Sequence, residues 1–255
     1  MNYENRHIKE KPHQDGNMKT NRAGFTLVEM TIVLVIIGLL LGGLLMPLQA
    51  QIDNQRIKET QKALDEVKEA LIGFAVANGR LPRPAASATN GAENPATCLT
   101  DAACSGFIPW ATLGVTKLDA WGKIIRYSVT PGFANASITL ATVANRKVLT
   151  RDGAGATSFL IGQAAACTAT QQCAPVVVFS HGKQRLGTTD AGVAIPEDTA
   201  TNLDEDANNV GPTDYFQRTP SENTAAATGG EFDDIVTWLS PNILFNRMVA
   251  AGKLP

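Results

Sequence analysis

Residues 30–52 carry no charged side chain, and from residue 30 to residue 48 they are almost wholly Ile, Leu, Val, Met and Gly. A helix needs about 20 apolar residues to cross a bilayer, so a run of this length is expected to span one. The run is too long for the apolar region of an ordinary secretory signal, about 7–15 residues, and Pro47-Leu48-Gln49-Ala50 is a poor small-residue cleavage site. Lys19 and Arg22 directly precede it. Cationic flanks stay cytoplasmic, which puts the remainder of the chain outside the inner membrane of a bacterium. Lys plus Arg (22) nearly balances Asp plus Glu (24), so the chain lacks the basic excess of a nucleic-acid binder, and no such partner is expected.

The edge of the run reads Ala23-Gly24-Phe25-Thr26-Leu27-Val28-Glu29-Met30. A carboxylate beside a membrane span is expensive, roughly 2.5–3.5 kcal/mol at a helix centre, and therefore points to function. A cut after Gly24 would supply its partner: Phe25 would gain a free α-amine and Glu29 would become the fifth residue of the new chain. Amine and carboxylate of neighbouring subunits could then neutralise each other in a low-dielectric setting.

The segment G-F-T-L-V-E-M followed by T-I-V-L-V-I-I-G resembles the prepilin signature of the type IV pilin and pseudopilin superfamily. The resemblance implies cleavage at Gly24–Phe25 by prepilin peptidase, N-methylation of Phe25, and use of Glu29 in assembly with other subunits on an inner-membrane platform. Met18 as an alternative start would leave M-K-T-N-R-A-G, the short basic leader typical of the family. Pro47 lies one place further into the mature helix than the proline common in major pilins. Further along the chain, residues 118–127 (L-D-A-W-G-K-I-I-R-Y) and 229–238 (G-G-E-F-D-D-I-V-T-W) resemble two segments of major pseudopilins.

The expected architecture is α+β: one long N-terminal helix, half in membrane and half amphipathic, packed on a small antiparallel sheet with long loops and a short C-terminal helix. The expected divisions are a leader at 1–24, a membrane half at 25–48, an amphipathic half at 49–79 and a periplasmic or extracellular head at 80–255. Ile57, Leu64, Val67, Leu71 and Phe74 recur at three- and four-residue steps, and Gly79 with Pro82 and Pro84 ends the helix. Gly38, Gly42 and Gly43 offer close helix approach in lipid. Strands are expected at 124–130, 137–143, 176–180 and 234–239, then a helix from Pro241 to about Ala251 capped by Ser240. Cys98 with Cys104 and Cys167 with Cys173 share a C-x5-C spacing, which outside the cytoplasm reads as two disulfides; for zinc the spacing is loose and no His lies near.

No motif with a catalytic mechanism occurs, so no enzyme activity is expected. Glu197, Asp198, Asp204, Glu205, Asp206, Asn208 and Asn209 crowd one polar stretch, where Asp204, Asp206 and Asn208 are candidate Ca²⁺ ligands beside the plain reading of a solvated acidic loop. Major pseudopilins bind calcium in the comparable loop. The expected function is that of a structural subunit of a type IV pilus or pseudopilus, most simply a minor one that initiates, caps or decorates the filament. A membrane-tethered adhesive or ligand-binding module sharing the processing route is the competing class. The subunit would sit first in the inner membrane with its head in the periplasm, then in the filament, with cell-surface exposure where that filament is a pilus.

Overall fold

The computed structural model describes residues 24–170, 172–197 and 200–254. The leader before Gly24 and Asp198 lie outside that set. The chain forms two compact units, Met1–Ala50 and Gln51–Pro255.

Helix α1 runs over Leu27–Asn78 and continues through Pro47. Gly79, with φ 72°, ends it, and its N–H closes the last turn on the Ala75 carbonyl at 2.8 Å. Thr60, Leu64, Val67, Leu71, Ile72 and Ala75 form its buried stripe, and the charged residues between them stay outside, as in the Lys62–Glu66 pair. The exposed ion pairs add little; the stripe is what docks the helix.

The remaining elements follow in chain order. Strand β1 is Ser105–Phe107, α2 Trp110–Leu113, β2 Arg126–Val129, α3 Pro131–Asn135, β3 Lys147–Arg151, β4 Thr157–Ile161 and β5 Val176–Ser180. After these come β6 Gly187–Thr188, β7 Ala194–Ile195, α4 Leu203–Val210, β8 Asp214–Phe216, β9 Ile235–Leu239 and α5 Pro241–Ala250. The main sheet is antiparallel in the order β1-β2-β5-β9. A second sheet, β4-β3-β8, is mixed, because β3 runs parallel to β8.

Strand β5 shows why its sequence is an unbroken Val-Val-Val-Phe. Val176 and Val178 join the core formed with Leu64, Leu71 and Phe245, whereas Val177 and Phe179 pack with Val148 of β3 and Tyr215 of β8. Both faces are covered, so every residue is buried and no polar alternation survives. Tyr127 of β2 is fully buried, and its hydroxyl donates to the Pro82 carbonyl at 2.8 Å.

Two expectations are corrected. Residues 137–143 form no strand: Thr139 and Thr142 bond each other's backbone and hydroxyl groups, which closes a turn before a ladder can start, and the strand begins instead at Lys147. The expected long loops are cut shorter, since residues 181–230 contain β6, β7, α4 and β8.

Disulfides join Cys98 to Cys104 and Cys167 to Cys173, with no free cysteine among the described residues. The first closes a loop that Asn135 fastens from outside, its Nδ2 donating to the Cys98 carbonyl at 2.6 Å and its Oδ1 accepting the Cys98 N–H at 3.2 Å. Replacing both Cys98 and Cys104 by Ser should lower unfolding free energy by about 2 kcal/mol, the loop-closure value for so short a ring. Urea denaturation of the oxidised wild type and the double variant measures it; equal midpoints would contradict it.

Candidate functional site

The signature residues open α1. Gly24 and Phe25 precede the helix, with Phe25 80% exposed. Thr26 stands at its N-cap and Glu29 three residues on. The Glu29 N–H donates to Thr26 Oγ1 at 3.2 Å, while Glu29 Oε2 accepts the Thr26 N–H at 3.0 Å and its hydroxyl at 3.1 Å. This is a reciprocal capping box, which satisfies two backbone donors that a helix start otherwise leaves open. Glu29 therefore has a local task beyond the docking role read from the sequence, and the T-x-x-E spacing before an apolar run was the signal for it.

Beyond the cap the side chains are apolar and uncovered. Phe25, Leu27, Val28, Met30, every large apolar residue of 32–37, and Leu39 to Leu41 are between 46% and 84% exposed. Soluble surfaces do not carry a contiguous apolar area of this extent without a partner. Among the described residues no helix is long and apolar enough to cross a membrane. The expected span includes residues 42–47, Gly42, Gly43 and Pro47 among them, whose surroundings lie outside the described set.

The second unit gathers several of its buried polar residues at one place. Asp119, in the D-A-W-G-K turn, accepts the N–H groups of Trp121 and Lys123, both at 2.9 Å, through Oδ1, and the Ser180 hydroxyl at 2.6 Å through Oδ2. Lys123 Nζ donates to the carbonyls of His181, at 3.0 Å, and Gln184. His181 Nδ1 lies 3.2 Å from Asp234 Oδ1, and Asn208 Nδ2 donates to Asp234 Oδ2 at 2.8 Å. Asp233 Oδ2 accepts the Lys183 and Gln184 N–H groups at 2.5 and 2.8 Å, and the Asp233 N–H donates to Glu205 Oε1 at 2.7 Å. The turn at 119–123, the loop after β5 and the segment before β9 are thus tied into one buried network.

The calcium ligands expected from sequence are not brought together. Residues 203–210 are a helix, α4, and its period sends its polar side chains apart. Asp204 is fully buried and held by Arg151, with Nη2 at 2.8 Å, and by Arg218, whose Nε lies 2.8 Å away as an ion pair without hydrogen-bond alignment. Asn208 bonds Phe216 and Asp234, and Asp206 faces Glu197, whose carboxyl is pushed up to about 7 by burial first and then by Asp206. The glycine pair before Glu231 belongs to this packing: a Cβ on Gly229, where φ is 88°, would lie 2.1 Å from Asp204 Oδ2.

The carboxylates that do converge are Glu205, Asp233 and Asp234, whose oxygens lie within 4.8 Å of one another. These three could hold a hard cation, and Asp233 Oδ1 is buried without a hydrogen-bond partner. The chain's own answer to the crowding is protonation and a nearby ammonium. Burial first, then the Asp234 charge, push Glu205 up to about 9. Asp233 is raised for the same reasons, and burial lowers Lys123 against the pull of four carboxylates.

A pH dependence follows. Below its ordinary value near 4.5, Glu205 is protonated folded or unfolded; between there and about 9 only the unfolded chain loses the proton. Stability should therefore fall with rising pH across that window, by about 1.4 kcal/mol per unit from this group. Melting of the detergent-solubilised chain in chelator-containing buffer between about pH 5 and pH 9 reads this. Glu205→Gln should flatten the decline, and a wild-type melting temperature that is level or rising would contradict it.

Residues 19–45 match the family model for the prokaryotic N-terminal methylation motif. No curated protein and no solved structure gives a significant match to the chain. The matched segment takes in Gly24, Phe25, the Thr26–Glu29 cap and the uncovered apolar helix, so the chain carries the N-terminal signature of the type IV pilins and pseudopilins, the mark of a protein processed by the prepilin route.

Proposed function

We propose that this chain is a structural, non-enzymatic subunit of a type IV pilus or related pseudopilus. The observation that carries the reading is the methylation motif at residues 19–45 lying on a capped helix whose apolar side chains have no cover. Prepilin peptidase cuts between Gly24 and Phe25 and methylates the new terminus. The apolar half of α1 sits in the inner membrane with the head in the periplasm, then passes into the filament core against neighbouring helices. Packing in lipid favours small residues at such contacts, and among the described residues a Cβ on Gly38 would meet no side chain within 4 Å, so a neighbouring helix has room to approach there. A head with three sheets and two disulfides suits a minor position, one that starts, caps or decorates the filament.

Glu29 has two roles on this account, capping its own helix and neutralising the α-amine of a neighbour. Substitution separates them. Glu29→Ala removes both, whereas Glu29→Gln keeps a capping-box partner and removes only the charge. Both variants should insert and lose their leader normally, because insertion becomes easier without the carboxylate. Both should be depleted from sheared filaments relative to total membrane content. Normal incorporation of Glu29→Gln would reduce Glu29 to a cap, and normal incorporation of both would overturn the docking role.

A further inference from the structure

Arg126 stands apart from four other arginines of the second unit that are wholly or partly buried. Arg80 reaches Glu93, Arg146 reaches Asp101, and Arg151 and Arg218 share Asp204. Arg126 reaches no carboxylate among the described residues, and its Nε is buried without a hydrogen-bond acceptor. It lies opposite Phe107 on one neighbouring strand and Phe179 on the other, with its guanidinium carbon 5.1 Å from the Phe107 ring centre. The ring supports the flat face of the cation but accepts none of its N–H groups in the plane, where an arginine carries five donors.

Arg126 also lines a cavity of about 120 Å³ bounded by Ser105, Asn208, Asn209, Gly211 and Tyr215. No other charged side chain lines that cavity. We infer that it is a binding site for a single carboxylate group, held by the Arg126 fork. One enclosed cation matches one negative charge; a dianionic phosphate would be left half-neutralised there. A carboxylate also presents two oxygens in a plane, which the guanidinium edge meets with paired hydrogen bonds. Burial lowers the Arg126 pKa from its ordinary value, as expected of a cation that has lost water and not yet gained an anion. The carboxylate comes either from a free small acid or from an Asp or Glu side chain of a neighbouring protein. The inference does not depend on the filament reading.

Modification of the full-length wild-type chain by 2,3-butanedione, mapped at Arg126 by mass spectrometry, tests it without a destabilising substitution. In detergent and chloride, Arg126 should react; sodium acetate at matched ionic strength should slow that reaction several-fold while leaving the exposed Arg247 unchanged. Asn209→Trp, which fills the cavity with Arg126 in place, should abolish the acetate effect. Protection that appears only in the assembled protein and weakens at high chloride assigns the carboxylate to a neighbouring chain. Equal reaction rates in acetate and chloride with no protection on assembly, protection indifferent to chloride, or an Arg126 that never reacts would each overturn the site.

Discussion

An apolar helix that none of the described residues covers has to be covered by something else, and this constraint bears on everything proposed for the rest of the protein. The side chains from Phe25 to Leu41 expose far more apolar surface than a monomer in water tolerates. Lipid satisfies them without selectivity. Neighbouring helices satisfy them too, but only in a defined axial register, and an apolar stripe alone sets none. Glu29 is the one ionisable group in that stretch, and the Thr26–Glu29 cap satisfies it within its own helix. On the reading proposed, cleavage creates a competing cationic partner next to the cap, and exchange of one for the other marks the step from stored subunit to docked subunit.

The head meets a different constraint, that of burying charge. Its main sheet is sandwiched between the α1 stripe and the second sheet, so the segments leaving its strand ends carry polar groups into enclosed space. Asp119, Lys123, Ser180, His181, Glu205 and Asp234 are all buried, and each has a partner. Such a network fixes the mutual placement of three distant chain segments, because a half-satisfied version would leave desolvated charges with nothing to bind. The raised Glu205 and Asp233 are the residue of that crowding.

Legibility in the sequence tracked how local the cause was. Strand β5 and helix α5 were readable because continuous valines and a proline at the first helical turn carry their own explanation, although Ser240 at the N-cap makes no side-chain capping bond, and the equal cysteine spacing marked both loops that the disulfides close. The main antiparallel sheet and the C-terminal helix fit the expected α+β class, whereas the mixed second sheet was missed. Its strands β3 and β4 sit behind the turn of Thr139 and Thr142, which imitates strand composition while bonding itself. The metal set failed for a tertiary reason. Asp204 and Asp206 look alike in sequence, yet one is taken by two arginines and the other faces Glu197, while the carboxylates that meet come from α4 and from a segment nearly 30 residues away. The isolation of Arg126 is likewise invisible until its neighbours are placed, since a lone arginine in a strand reads as an ordinary outward residue.

Whether the chain enters the filament through α1 with Phe25 as the first residue of the mature protein is read from the intact mass of the protein extracted from membranes and from sheared filaments. The account predicts a single species that begins at Phe25 and carries one added methyl group. A chain that keeps its leader, or one that starts after Ala50 and has lost the apolar helix, would contradict it.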